Sequence, residues 1–356
     1  MSFDLAKLLR DVFDPDGTDR VLVMVDVPRP GDLFDADWQE RIKMAGEWRN
    51  AFERFGATAA PLLRYPATGG NNADLPEFGE QDGRPVRIHE AIGEATLVVA
   101  MTRYSATAPL SAYVRSRANL RAASMPGVLR RMERSALSAD YRLVGQRARI
   151  LAERLDRAEG AIVRFETGHQ CFFDLRFRRG HADDGDCTKN KQGFRLINLP
   201  SGEAFIVPYE GERPGDPSRT AGEIPIGRDG EIAVLKIAGN RIESIDGGGL
   251  AARLRTHFDL DPARRNIAEL GLGCNDAAIV AGNVLEDEKA GFHWAYGRSE
   301  HLGGVTGPES FQDPSHVLHQ DVVYAEGCPI RVDEVNLLYP GGASECIFRN
   351  GRYLVW

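Results

Sequence analysis

The sequence predicts an α/β plus α+β chain: an N-terminal parallel-sheet α/β domain over residues 1–160 and a C-terminal antiparallel-rich domain over residues 161–356. Three observations predict it. Apolar runs of strand length alternate with helical patterns in the first part, which suits a parallel sheet covered on both faces. After Gly160 the texture changes to short alternating runs separated by Gly, Asp and Asn clusters. The length of 356 residues is that of about two ordinary domains.

Each element follows from local pattern. Residues 1–14 carry acids early and lack an apolar stretch followed by small cleavage residues, so they read as a helix rather than a signal peptide, and the expected compartment is the cytoplasm. Val21–Val27 is a continuous apolar run suited to a buried strand, ended by Pro28 and Pro30. Trp38–Phe55 has helical spacing, and Glu94–Met101 is a second buried strand. From about Leu110 to Glu159 the pattern is mostly helical, broken near Pro126–Gly127. The later strands are expected at Ala161–Glu166, Cys171–Phe177, Ala204–Pro208, Glu231–Ile237, Val322–Tyr324, Asn336–Tyr339 and Tyr353–Trp356, with Gly247–Gly249 as a turn before a helix. No fixed-period repeat is visible, which excludes solenoids.

Charge and cysteine content narrow the function classes. The 44 Lys+Arg and 52 Asp+Glu give a net charge of −8, which disfavours nucleic acid and anionic membrane as partners. Residues 115–159 run against this with 11 Arg and 5 acids, but Tyr141 is their one aromatic, so a solvated helix surface is expected. No run approaches the ~18 apolar residues of a membrane span. The five cysteines are odd in number and form no C-x-x-C pair, so they read as core fillers.

The residues able to carry chemistry gather late in the chain. Four of the eight histidines, His293, His301, His316 and His319, fall within 27 residues, among Glu286, Asp287, Glu288 and Asp321. His with carboxylate is the ligand set of zinc, cobalt, manganese or non-haem iron. His319 and Asp321 are two apart at the start of an apolar run, so on a strand they share a face, either for one ion or as plain surface groups. Glu288 and His293 flank Gly291, a spacing that a bulge can fold onto one ion or that an acidic turn would leave exposed. Glu203 stands at a strand entrance after Pro200 and Gly202, and Glu269 lies amid apolar and glycine neighbours. Four carboxylates and two histidines suit a two-metal centre and hydrolysis. No nucleophile elbow, phosphate loop, H-E-x-x-H helix or dinucleotide fingerprint is present.

The order N-L-P-x-G-E (Asn198–Glu203), A-E-L-G-x-G-x-N (Ala268–Asn275), L-x-D-E-x-x-x-x-H-x-A-x-G (Leu285–Gly297), Gly303-Gly304 and H-x-D (His319–Asp321) resembles the thermophilic metallo-aminopeptidases of the aminopeptidase T/S type, peptidase family M29. The resemblance implies two divalent ions (Zn, Co or Mn) held by Glu203, Glu269, Glu288, His293, His319 and Asp321, with Glu269 bridging and Glu203 or Glu288 moving the proton. It also implies a homodimer acting on small peptides. Seven residues after the histidine, where the family has a tyrosine, stands Glu300, so the phenol is lost, replaced by His301, or supplied by Tyr296. The 2,5-dihydroxypyridine dioxygenases are a second branch of the same fold. They imply one Fe(II) on His293 or His301 with His319 and Asp321, and a small-molecule substrate. A third expectation is the same scaffold with a specialised amide substrate or without catalysis.

Overall fold

The computed structural model describes residues 3–356. The chain forms two units: one comprises the chain up to Gly145 with Asp183–Ser201 and Asp276–Ala278, the other Gln146–Ala182, Gly202–Asn275 and Ile279–Trp356. The texture change expected near residue 160 thus falls inside the second unit. The chain also returns to the first unit after residue 182, a long-range exchange that local pattern does not encode.

The first unit is built on an eight-stranded sheet whose path runs Leu196–Asn198, Arg121–Ser124, Leu97–Ala100, Arg20–Val27, Leu63–Pro66, Phe78–Gln81 and Arg84–Arg87, with Thr58–Ala59 beside Arg20–Val27. Pairing is parallel from Leu196–Asn198 through Leu63–Pro66 and antiparallel in the last hairpin. Val21–Val25 are apolar at every position because this stretch is covered twice: Val21, Val23 and Val25 enter one core cluster, Leu22 and Met24 the other. The expected helices are present at Leu5–Phe13, capped by Asp4, and at Ala36–Glu53, capped by Asp35.

One expectation is corrected here. Within the Arg-rich segment the chain forms helices Thr107–Ser116 and Tyr141–Arg157, but between them lies a strand, Arg121–Ser124, with every residue buried. Arg121 is not part of a solvated surface. At 2% exposure its guanidinium donates to Asp19 Oδ1 at 2.6 Å and to the carbonyls of Phe13 and Cys187 at 2.6 and 2.7 Å. A buried cation held by one carboxylate and two carbonyls ties the N-terminal helix, the sheet and the returning segment together.

The second unit stacks two antiparallel sheets. An eight-stranded sheet runs Arg241–Gly247, Glu231–Ala238, Ala221–Arg228, Gln170–Asp174, Gly160–Phe165, Val332–Leu338, Ser344–Arg349 and Arg352–Tyr353. A five-stranded sheet runs His181–Asp183, Glu203–Ile206, Ile267–Gly273, Phe292–Gly297 and His319–Tyr324. Their facing side chains form one core, in which Phe165 lies 5.0 Å from Tyr324 and 6.4 Å from Phe292, ring centre to ring centre. The Tyr324 hydroxyl donates to the Pro225 carbonyl at 2.8 Å and accepts from Trp294 Nε1 at 3.1 Å, so the buried polar tips are satisfied. Gly248 caps the helix Gly249–Asp259, as the glycine run implies. Among the described residues no disulfide joins the five cysteines, and no helix is long and apolar enough to cross a membrane.

Arg121→Ala removes the cation of a fully buried pair and leaves Asp19 with Lys189, the Thr96 hydroxyl and the Asp16 N–H. The expected cost is about 3–5 kcal/mol in the denaturant midpoint of the intact chain. A loss below about 1 kcal/mol would show that the pair is not what ties these segments together.

Candidate metal centre

The five-stranded sheet turns one face to the core, and its other face carries the chemistry. Side chains alternate along a strand, and directly opposite residues on neighbouring strands share a face. Leu270, Leu272, Phe292, Trp294 and Tyr324 fill the core side. On the other side the register sets Glu203 opposite Gly273, Gly271 opposite His293, Glu269 and Asp321 either side of Ala295, and His319 opposite Gly297. The pairing slips between Ile267 and Glu269, a local irregularity at the rim of the cluster.

Small residues make the room. A Cβ at Gly271 would lie 1.9 Å from His293 Nε2, so the imidazole occupies the space that any other residue would fill. A Cβ at Gly273 would lie 2.3 Å from the Glu288 carbonyl oxygen, so the short Glu288–Ala290 turn packs directly on that strand. The two glycines of the A-E-L-G-x-G segment are therefore spatial requirements of the site.

Into this space five of the six expected ligands converge. His293 Nε2 is 3.1 Å from Glu203 Oε2 and 3.6 Å from Glu269 Oε1. His319 Nε2 is 3.0 Å from Glu269 Oε2 and 3.7 Å from Asp321 Oδ1. Glu203, Glu269 and His293, and again Glu269, His319 and Asp321, each bring one ligand atom within 4.8 Å of the others, so Glu269 belongs to both trios. Each histidine directs Nδ1 at a backbone carbonyl, Gly291 at 3.3 Å and Arg298 at 2.7 Å, which leaves Nε2 as the ligand nitrogen. Glu203 Oε2 and His293 Nε2 are buried with no hydrogen-bond partner despite their closeness. Two oriented imidazoles, three carboxylates and two orphaned ligand atoms fit a divalent ion of the zinc, cobalt, manganese or iron type.

The sixth expected ligand has a different neighbour. Glu288 lies 2.7 Å from the Lys289 ammonium, which is 0% exposed and also donates to Glu203 Oε1 at 2.5 Å. Sequence reasoning passed over Lys289. Its signal was an isolated lysine, one of six in the chain, placed between an acidic run and apolar residues.

Burial sets the electrostatics. It would raise the Glu203 carboxyl, but Lys289 and His293 outweigh it and pull the group down to about 2. Glu269 likewise falls to about 2 because both histidines face it. The two rings are depressed by burial alone, yet their carboxylate neighbours hold both well above the ordinary 6.5. Glu288 goes the other way. Burial, with the charges of Glu203 and Asp321, lifts it to about 8 in spite of Lys289.

The two residues considered in place of the family tyrosine part company. Tyr296 faces the core with Trp294 and Phe258, and its hydroxyl meets His257 Nε2 at 3.1 Å. It is three positions from His293, and an odd spacing on a strand sends it to the opposite face. The structure does not bring it to the cluster. His301 does come close: its ring stands edge-on to His319 at 5.1 Å, and burial with the nearby His319 and Arg298 charges lowers it to about 4. Its loop is held by Glu210, another residue the sequence left unmarked. Glu210 accepts from Asn266 Nδ2, Ser299 Oγ, Thr306 Oγ1 and the Val305 N–H at 2.6–2.9 Å. Glu300 is paired with Arg298 at 2.6 Å.

Gly271→Ala should displace the His293 ring. Divalent-ion affinity is expected to fall about 10- to 100-fold, with a stability loss of about 1–3 kcal/mol, in ion titration and urea unfolding of the same protein. Undiminished affinity would mean that His293 does not serve as a ligand.

No known family matches the chain in sequence, and no curated protein does. Solved structures do match in fold. The 2,5-dihydroxypyridine dioxygenase from Pseudomonas putida KT2440 is similar at a TM-score of 0.64 and 17% identity, over 98% of this chain and 96% of that one. AmpT from Thermus thermophilus is similar at a TM-score of 0.60 and 14% identity, over 98% of both chains. The chain shares the fold of these two enzymes.

Proposed function

We propose that the chain is a metal-dependent hydrolase of the aminopeptidase type, removing N-terminal residues from small peptides as a cytoplasmic homodimer. The observation that supports it best is the position of Glu269, one oxygen towards each histidine, so that two ligand trios share one carboxylate. In that arrangement Glu203 and His293 would hold one ion, His319 and Asp321 the other, and Glu269 both. A bound pair of divalent ions supplies an acidified water and a polarised carbonyl.

The remaining residues provide proton handling and shape. Glu288, lifted to about 8, carries a proton near neutrality and can exchange it at its carboxyl oxygen, the property required of an acid–base group. Lys289 fixes that carboxyl beside Glu203. His301, neutral at physiological pH, offers a ring nitrogen where the related peptidases carry a phenol. Phe205, opposite Gly271 and stacked on His181 at 5.3 Å, gives the same face an apolar wall.

A second reading has its own support. His293, His319 and Asp321 on one face make the two-histidine, one-carboxylate set of a mononuclear Fe(II) ring-cleaving dioxygenase, and Tyr296 lies on the opposite, core-facing side. The same scaffold acting on a specialised amide is the third.

Two experiments separate these readings. Metal analysis of the purified chain should give two Zn, Co or Mn ions, with hydrolysis of aminoacyl-nitroanilides, and Glu269→Ala should lower both occupancy and rate by at least about 100-fold. One iron per chain with oxygen-dependent cleavage of a dihydroxypyridine would establish the second reading instead. The second experiment uses pH. In the stripped protein the raised histidines stabilise the fold fully below 6.5, and that contribution is lost as pH rises through their higher folded values. The depressed Glu203 and Glu269 contribute above 4.5 and lose it on acidification. Ion binding needs neutral rings, so the gap in unfolding free energy between loaded and stripped protein should widen from pH 6 towards pH 9, by about 1.4 kcal/mol per pH unit for each proton released. A gap that does not change with pH would exclude the histidines as ligands.

A further inference from the structure

The two ligand trios are not equivalent, and the difference is Lys289. Its ammonium is fully buried and divides between Glu203 Oε1 at 2.5 Å and Glu288 Oε1 at 2.7 Å. Glu203 therefore has one oxygen on a fixed cation and leaves only Oε2, the orphaned atom, for an ion. The ammonium is not free to swing away. The Lys289 carbonyl accepts from the Asn275 N–H at 3.1 Å, and its turn sits so tightly on Gly273 that a Cβ there would meet the Lys289 carbonyl carbon at 2.6 Å. Among the described residues, Glu269, His319 and Asp321 of the other trio meet no lysine or arginine in their ion pairs.

We propose that Lys289 grades the two ion sites: Glu269, His319 and Asp321 take up a divalent cation first and tightly, while Glu203, Glu269 and His293 take a second, weaker and exchangeable one. The inference rests on the two-ion reading above. Its physical basis is that a positive charge shared through one carboxylate repels an incoming dication at short range, in a buried setting where water screens little. The same ammonium is a built-in counter-charge, which keeps the Glu203 and Glu288 pair compact while the second ion is away.

The test is a Co2+ titration of the chelator-stripped full chain, followed by calorimetry and by visible absorption. The wild type is expected to show two separable phases, the tight one lost in His319→Gln and the weak one lost in His293→Gln. Lys289→Met should tighten the second phase about 10- to 100-fold and leave the first within a few-fold. The double variant Lys289→Met/Glu288→Gln removes the cation together with one of the two carboxyl groups it contacts, and should do the same if the single variant does not fold. A second phase that stays unchanged when the ammonium is gone, or equal tightening of both phases, would overturn the grading by Lys289. One ion in the wild type and in the variants would overturn both this inference and the two-ion reading. One ion in the wild type and two in the variant would uphold the role of Lys289 while overturning the two-ion reading of the native chain.

Discussion

The centre depends on one close approach: the His293 imidazole lies where a side chain at position 271 would have to be. Only because Gly271 lacks a Cβ can His293 lie over the neighbouring strand and turn Nε2 towards both Glu203 and Glu269. The two-residue period of the strand then does the sorting. Phe292 and Trp294 seal the core with the same regularity that sends His293 to the other side, so the packing of the sandwich and the geometry of the cluster are set by one register. Sliding that register by one residue would bury the histidine in the core and expose the tryptophan.

Such a cluster is a costly thing to bury. Four carboxylates, Glu203, Glu269, Glu288 and Asp321, stand close together against one ammonium. The protein answers in three ways: it draws protons onto both imidazoles, it leaves Glu288 protonated near neutrality, and it fixes Lys289 beside Glu203. All three reduce the negative charge of the cluster, and the two imidazole protons are the ones a divalent cation would replace at the ligand nitrogens. The neutral His301 at the edge of His319 adds no further charge.

Much of this was legible in the sequence, for reasons that differ by element. Val21–Val27 reads as a strand because both its faces are covered, and His319 with Asp321 reads as a pair because two positions on a strand share a side. The motif order brought Glu203 and Glu269 in before any geometry was known. What could not be read was long-range. Arg121 looked like one of many surface arginines until Asp19, Phe13 and Cys187 closed around it, and nothing near Glu210 shows that it holds a loop almost ninety residues later. Tyr296 was plausible by distance along the chain and excluded by parity. Lys289 was overlooked because a lone lysine beside acids is ordinarily a surface residue, and its burial follows from a turn packed on Gly273.

The return of Asp183–Ser201 to the first unit has a consequence for how the protein is made. Strand Leu196–Asn198 completes the parallel sheet beside Arg121–Ser124, and the Cys187 carbonyl supplies one of the three acceptors around Arg121. During synthesis, the chain through Asn198 must therefore have left the ribosome before this sheet can close. Until then the Arg121–Ser124 strand has an open edge and Arg121 lacks an acceptor, an interval in which a nascent chain is exposed to mispairing. The five-stranded sheet, whose candidate ligands run from Glu203 to Asp321, is complete only once the strand His319–Tyr324 has emerged. The order of emergence thus delays any metal-binding face until the strands that carry its residues have all been made.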